Sequence, residues 1–133
     1  MHSRLDLHER IQRYERQLVD SAASSSLAPL RKSVLQLLAA CDERNEEQAL
    51  CHNDLLAANR LYSGGVLHAL DWEYCAMASP WYDLGVIIAG DSLDEQALGE
   101  LLHAYLEREP GANELQLALH YSCVYRYIEL LWY

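Results

Sequence analysis

The stretch from Cys51 to Leu84, CHNDLLAANRLYSGGVLHALDWEYCAMASPWYDL, decides how this chain is read. Within it Asp54 and Asn59 stand five residues apart, and Asp71 follows twelve residues later. Ser63, Gly64 and Gly65 separate two short apolar runs, residues 60–62 and 66–70. Glycine enters the positive-φ region without steric penalty, so the pattern predicts two strands joined by a three-residue hairpin loop. A hairpin returns the chain to its starting point. Asp54 and Asn59, in the loop before it, and Asp71, just after it, can therefore face a common ion.

Outward from the hairpin the period becomes helical. Ser79 and Pro80 read as N-cap and first helical residue, and the helix should run through Leu84, Val86, Ile87 and Ile88 to about Gly90. Ser92 with Glu95 forms a capping-box pattern ahead of a helix over residues 93–107. Pro110-Gly111 breaks it, and Asn113 with Gln116 repeats the cap logic before a last helix. Leu115, Leu119, Cys123, Tyr127 and Leu131 mark that helix, which reaches LLWY without a Gly, Asn or Pro stop and so is expected to be cut within a helix. Upstream, Leu7, Ile11, Tyr14 and Leu18 predict an amphipathic helix over residues 5–19. The small hydroxyl residues 21–26 read as a loop, Pro29 as the first turn of a second helix, and Leu30, Val34, Leu37 and Leu38 as its apolar face. Residues 42–48 are a polar connector or helix end.

The 133 residues favour one domain, and half of them are apolar, which excludes general disorder. A net charge of −10, from 20 acids against 10 bases, argues against a nucleic-acid partner and suits cationic ligands or metal. Cys41, Cys51, Cys75 and Cys123 form no CxxC pair, so reduced packing thiols in the cytoplasm are expected. The first ten residues lack the apolar core of a signal peptide, and no run approaches the roughly 18 apolar residues that span a bilayer, so no membrane partner is expected.

The polar constellation suits transfer of phosphate from ATP to a hydroxyl. Such a reaction needs a carboxylate that orients the attacking hydroxyl and takes its proton, and hard oxygen ligands that hold Mg2+ against the triphosphate. Asp54 is the candidate base; Asn59 and Asp71 are the candidate magnesium ligands. His52, just before the loop, belongs to the catalytic segment and is expected to pack and hydrogen-bond so as to fix it. Glu73 has two readings, contact with a second metal or cationic substrate, or support of the loop. Asp83, in a first helical turn where negative charge is favoured, is read as structural, tying that helix to the loop. Aromatic rings flank the acids: Trp72, Tyr74, Trp81 and Tyr82 after Asp71, and Tyr121, Tyr125, Trp132 and Tyr133 in the last helix. An aromatic face attracts an organic cation by roughly 0.5–2 kcal/mol. Tyr125 and Trp132 are therefore either core or the wall of a cationic substrate site.

These motifs resemble the choline/ethanolamine kinases and the related aminoglycoside phosphotransferase family, which includes thiamine kinase. His52, Asp54 and Asn59 match the family's HxDxxxxN loop, Asp71 in LDWEY its metal-binding aspartate, and Pro80, Asp83 and Leu84 its PxxDL segment. Leu70 stands where isoleucine is commoner. The resemblance implies an α+β, mainly helical fold, the C-terminal lobe of a protein kinase-like architecture with a small β-hairpin carrying the catalytic and metal loops. It implies ATP and Mg2+ as cofactors, and a small cationic amino alcohol such as choline, ethanolamine or thiamine as substrate.

The family's N-terminal lobe carries a phosphate-covering loop and a strand lysine. This chain has one lysine, Lys32, and no Gly-rich loop ahead of position 52. The expectation is thus a single C-terminal lobe over residues 1–133, a kinase by family but inactive alone. Its uncovered surface would favour a homo-oligomer or another association. The alternative is a non-catalytic binding or assembly module built on the same lobe. A metal-dependent hydrolase is disfavoured, because the acids are too sparse for a two-metal site.

Overall fold

The computed structural model describes residues 3–18 and 23–133. The Leu7, Ile11, Tyr14 and Leu18 stripe forms α1 (Leu7–Leu18), started by Asp6, whose carboxylate accepts the Glu9 backbone N–H at 3.0 Å. Helix α2 (Ala23–Glu43) follows. The serine run is therefore not a loop where it is described, since Ala23 to Ser26 are helical; Ser21 and Ala22 lie outside the described residues. Pro29 lies inside α2, not in its first turn, because Leu27 packs with Val34 and Leu38 and draws the helix upstream. Leu30 leaves the expected apolar face and is exposed.

Two small antiparallel sheets come next. Strand β1 (Ala49–Cys51) pairs with β4 (Ala76–Ala78), Cys51 opposite Ala76. Strand β2 (Arg60–Ser63) pairs with β3 (Val66–Ala69), Ser63 opposite Val66. The hairpin loop is thus Gly64-Gly65 alone, two residues and not three, with φ of 59° and 78°. Positive φ at both central positions matches the twist of the strands, so Ser63 stays in the ladder. A short 3-10 turn (Ala57–Asn59) leads into β2. The chain start lies along β4, where the Leu5 N–H donates to the Met77 carbonyl at 2.9 Å.

Helix α3 (Pro80–Gly90) begins as expected, with the Ser79 hydroxyl accepting the Trp81 N–H at 3.3 Å. Helix α4 (Glu95–Leu106) is capped by Asp94, not by Ser92. Asp94 accepts from the Ala97 N–H at 2.8 Å, while Ser92 turns left-handed (φ 51°) as the chain leaves α3. Helix α5 (Ala112–Trp132) is capped at Gly111, not Asn113, because the Glu114 carboxylate takes the Gly111 N–H at 2.7 Å.

Helix α3 is buried on nearly all sides against α5. Gly85 makes this approach feasible: a Cβ there would stand 2.7 Å from the Tyr121 carbonyl carbon. The face of α5 that packs inward carries Leu117, Ala118, Tyr121, Val124, Tyr125 and Ile128. Leu119 and Cys123 of the expected stripe are exposed, because α5 meets α3 on one side and α1 with α2 on the other.

Candidate active site

The loop after β1 is held by one carboxylate. Asp83, in the first turn of α3, accepts the His52 backbone N–H at 2.8 Å and the Asn53 backbone N–H at 2.7 Å. Asn53 adopts a left-handed φ of 66°, a region asparagine tolerates better than most residues. Its Nδ2 donates to the Tyr74 carbonyl at 3.0 Å, which joins this loop to the segment after β3.

His52 is buried with both ring nitrogens engaged. Nδ1 accepts the Asp54 N–H at 3.2 Å, and Nε2 lies 2.7 Å from the Leu70 carbonyl. One neutral tautomer, with the proton on Nε2, satisfies both bonds. The Trp72 ring lies 4.8 Å from the His52 ring, tilted, yet stays half exposed. His52 thus braces the backbone on either side of the hairpin.

Asn59 turns its Nδ2 toward Asp54, donating to the Asp54 carbonyl at 2.8 Å and to Oδ2 at 2.9 Å. These two acceptors fix the amide orientation and leave its Oδ1 for another partner. The Leu70 N–H donates to the Asn59 carbonyl at 2.8 Å, so the hairpin closes beside Asp71, itself left-handed at φ 59°. Burial pushes the Asp54 carboxyl above its ordinary range; the Asn59 hydrogen bond opposes this, and the charge of Asp71 adds to it. Asp54, Asn59 and Asp71 therefore form one neighbourhood. Among the described residues no group of three or more His, Cys, Asp or Glu side chains gathers as a metal site. Asn59 and Asp71 supply two hard oxygens, which fits Mg2+, an ion that fills its other positions with water and phosphate.

Beyond Asp54 opens a cavity of about 280 Å³. It brings Asp54, Glu73, Tyr125 and Trp132 together; His52, Asn59, Asp71 and Asp83 are not part of its lining. Tyr125 is core and wall at once: it is buried, its ring 6.4 Å from Tyr82, and it lines the cavity. Trp132 is 64% exposed and meets Tyr14 edge-on at 5.6 Å. Arg10 and Tyr14 of α1 and Glu129 of α5 complete the lining, residues whose local sequence reads only as helix surface. Three carboxylates, one guanidinium and several aromatic rings thus face one cavity.

The helical lobe with its hairpin-borne loops is the C-terminal lobe of a choline kinase-like fold. It superimposes on a choline/ethanolamine kinase family protein from Mesorhizobium loti with a TM-score of 0.81 at 26% identity, covering 98% of this chain and 45% of that one. The fold of choline kinase LicA from Streptococcus pneumoniae matches with a TM-score of 0.78 at 22% identity, over 98% of this chain and 46% of that one. Protein LicA of Haemophilus influenzae is 32% identical over 97 residues, which cover 69% of this chain and 36% of the relative. The chain thus spans less than half the length of each. The model of the phosphotransferase enzyme family (APH) matches residues 2–118, and the chain belongs to that family.

Proposed function

We propose that residues 1–133 form the C-terminal lobe of an ATP-dependent kinase that transfers the γ-phosphate to the hydroxyl of a small cationic amino alcohol, such as choline, ethanolamine or thiamine. One observation carries this reading. Asp54 lines an acidic, aromatic cavity, accepts a hydrogen bond from Asn59 and lies within electrostatic reach of Asp71. Asp54 orients the acceptor hydroxyl and takes its proton at a carboxylate oxygen. Its raised affinity for a proton suits that task. Tyr125, Trp132 and Glu73 hold the cationic end of the acceptor. His52 and Asp83 keep the loop in place through backbone contacts. Asn59 and Asp71 would hold Mg2+, which supplies charge neutralisation on the transferred phosphate.

A nucleotide-binding lobe completes the cleft in this reading, and the 133-residue chain alone binds acceptor without turnover. The exposed apolar side chains of the hairpin, Leu61, Tyr62 and Leu67, belong to the surface that such a lobe, or a second copy, would cover. No helix among the described residues is long and apolar enough to cross a membrane, and we place the reaction in the cytoplasm, where ATP is available. The test is calorimetric titration of choline, ethanolamine and thiamine into the folded chain. Saturable heat from one of them supports the acceptor assignment. Silence from all three, in a sample shown to be folded, overturns it and leaves a non-catalytic module built on this lobe.

A further inference from the structure

The cavity already contains a cation. Arg10 projects from α1 into the lining that holds Asp54, Glu73 and Glu129. Its guanidinium carbon lies 5.8 Å from the centroid of the Tyr74 ring, within the distance at which an aromatic face attracts positive charge. Among the described residues Arg10 has no carboxylate within ion-pair distance. Its positive charge is therefore spread over the cavity rather than consumed by one acid. Tyr74 in turn is fixed from behind, because its carbonyl receives the Asn53 amide. The α5 side of the lining is built differently. Tyr125, Glu129 and Trp132 come from α5, whose residues in the lining include no basic side chain, whereas the Tyr14 ring of α1 already has the Arg13 guanidinium 5.6 Å from its centroid.

We propose that Arg10 is a specificity-determining residue of the acceptor cavity: it occupies the Tyr74 face as a resident cation and leaves the substrate's ammonium group the Tyr125 and Trp132 wall. This inference rests on the amino-alcohol reading above and adds to it. An incoming monocation meets three carboxylates already offset by one guanidinium, so binding is weaker and more position-selective than the acids alone would give. A dication, or a cation long enough to cover Tyr74 as well as the α5 rings, has to displace Arg10.

The experiment is a fluorescence titration of tetramethylammonium and choline into the 133-residue chain and its Arg10→Gln, Tyr74→Leu and doubly substituted forms, each checked for folding by thermal melt. Arg10→Gln should tighten both ligands roughly two- to fivefold, the range an exposed cation–aromatic contact supplies. Tyr74→Leu alone should change little, since that face is taken. The double substitution should lose most of the gain. An Arg10→Gln affinity that is unchanged or weaker overturns the proposal, as does an equal gain with and without Tyr74, which would mark a long-range charge effect only. Choline binding with no Arg10 effect leaves the amino-alcohol reading standing; absence of any amine binding sinks that reading. The Arg10 half is decided separately by the proton shift of its Nε–H in the unsubstituted chain. Ring-current displacement that vanishes in Tyr74→Leu supports occupancy, and an ordinary shift in both overturns it.

Discussion

The carboxylate of Asp83 accepts the backbone N–H of Asn53 at 2.7 Å and, through its second oxygen, that of His52 at 2.8 Å. Asn53 and His52 are buried, so neither donor has water as an alternative. An asparagine at position 83 offers one acceptor oxygen where the carboxylate offers two. Asp83→Asn should therefore leave one N–H without a partner and destabilise the lobe by about 1–3 kcal/mol. Urea unfolding of the two chains measures this. A midpoint unchanged by the substitution would remove Asp83 as the anchor of the loop.

Two glycines should respond to alanine with opposite signs. At Gly85 an added Cβ stands 2.7 Å from the Tyr121 carbonyl carbon and 2.8 Å from the Ser122 nitrogen. Both are helix backbone atoms, so α3 and α5 must separate, at a cost of about 1–3 kcal/mol. At Gly99, inside α4, nothing lies within 4 Å of the added atom. Alanine there recovers helix propensity of roughly 0.5–1 kcal/mol. Thermal melts should show Gly85→Ala below and Gly99→Ala above the parent. A Gly85→Ala chain as stable as the parent would mean that the two helices do not pack this closely.

The hairpin and the helices are legible in the sequence because their signals are local. Gly64-Gly65 between apolar runs needs no partner to be read, and Ser79-Pro80 marks a helix start on its own. Within the hairpin the turn is one residue shorter than expected, since Ser63 reads equally as loop or strand until its partner Val66 is known. The start of α2 is not legible, because Ser24, Ser25, Ser26 and Pro29 mask a helix that begins upstream of them at Ala23. Caps failed where two candidates compete within three residues: Asp94 displaced Ser92, and Glu114 displaced Asn113 by reaching back to Gly111. Strands β1 and β4, three residues each, carry no alternation and pair across 27 positions, so ALC and AMA give no signal alone. The motif placed Asp54, Asn59 and Asp71 near one another. The contribution of α1 to the cavity is not legible, because Arg10 and Tyr14 join Asp54 in its lining only through the packing of α1 on α5.

The four cysteines should divide by burial. Burial pushes the Cys41 thiol up to about 12 and the Cys51 thiol up to about 11, so neither forms thiolate near neutrality. Cys123 is exposed and Cys75 partly so, and all four are free thiols. Iodoacetamide at mildly alkaline pH should modify Cys123 first and spare Cys41 and Cys51 until denaturant is added. Peptide mass mapping reads the order. Early modification of Cys41 would contradict its place in the core between α2 and α5.

Asp54→Asn should separate stability from catalysis. Burial raises the Asp54 carboxyl above its ordinary range, so the folded chain holds that proton more tightly than the unfolded chain does. The stability belonging to this group is fully present below the unfolded carboxylate range. It is lost as pH rises from that range through the raised folded value. At neutral pH the ionised group therefore opposes folding. Asparagine removes the charge and keeps an oxygen that can accept from Asn59. Asp54→Asn should melt above the parent at pH 7, and the difference should shrink as the pH falls below the carboxylate range. In an active enzyme that contains this lobe, the same substitution should lower turnover by roughly 10²–10⁴-fold, the usual contribution of a positioned general base. Near-parental turnover would remove Asp54 as the base. A lower melting temperature at pH 7 would mean that the contact with Asn59 outweighs the burial of charge.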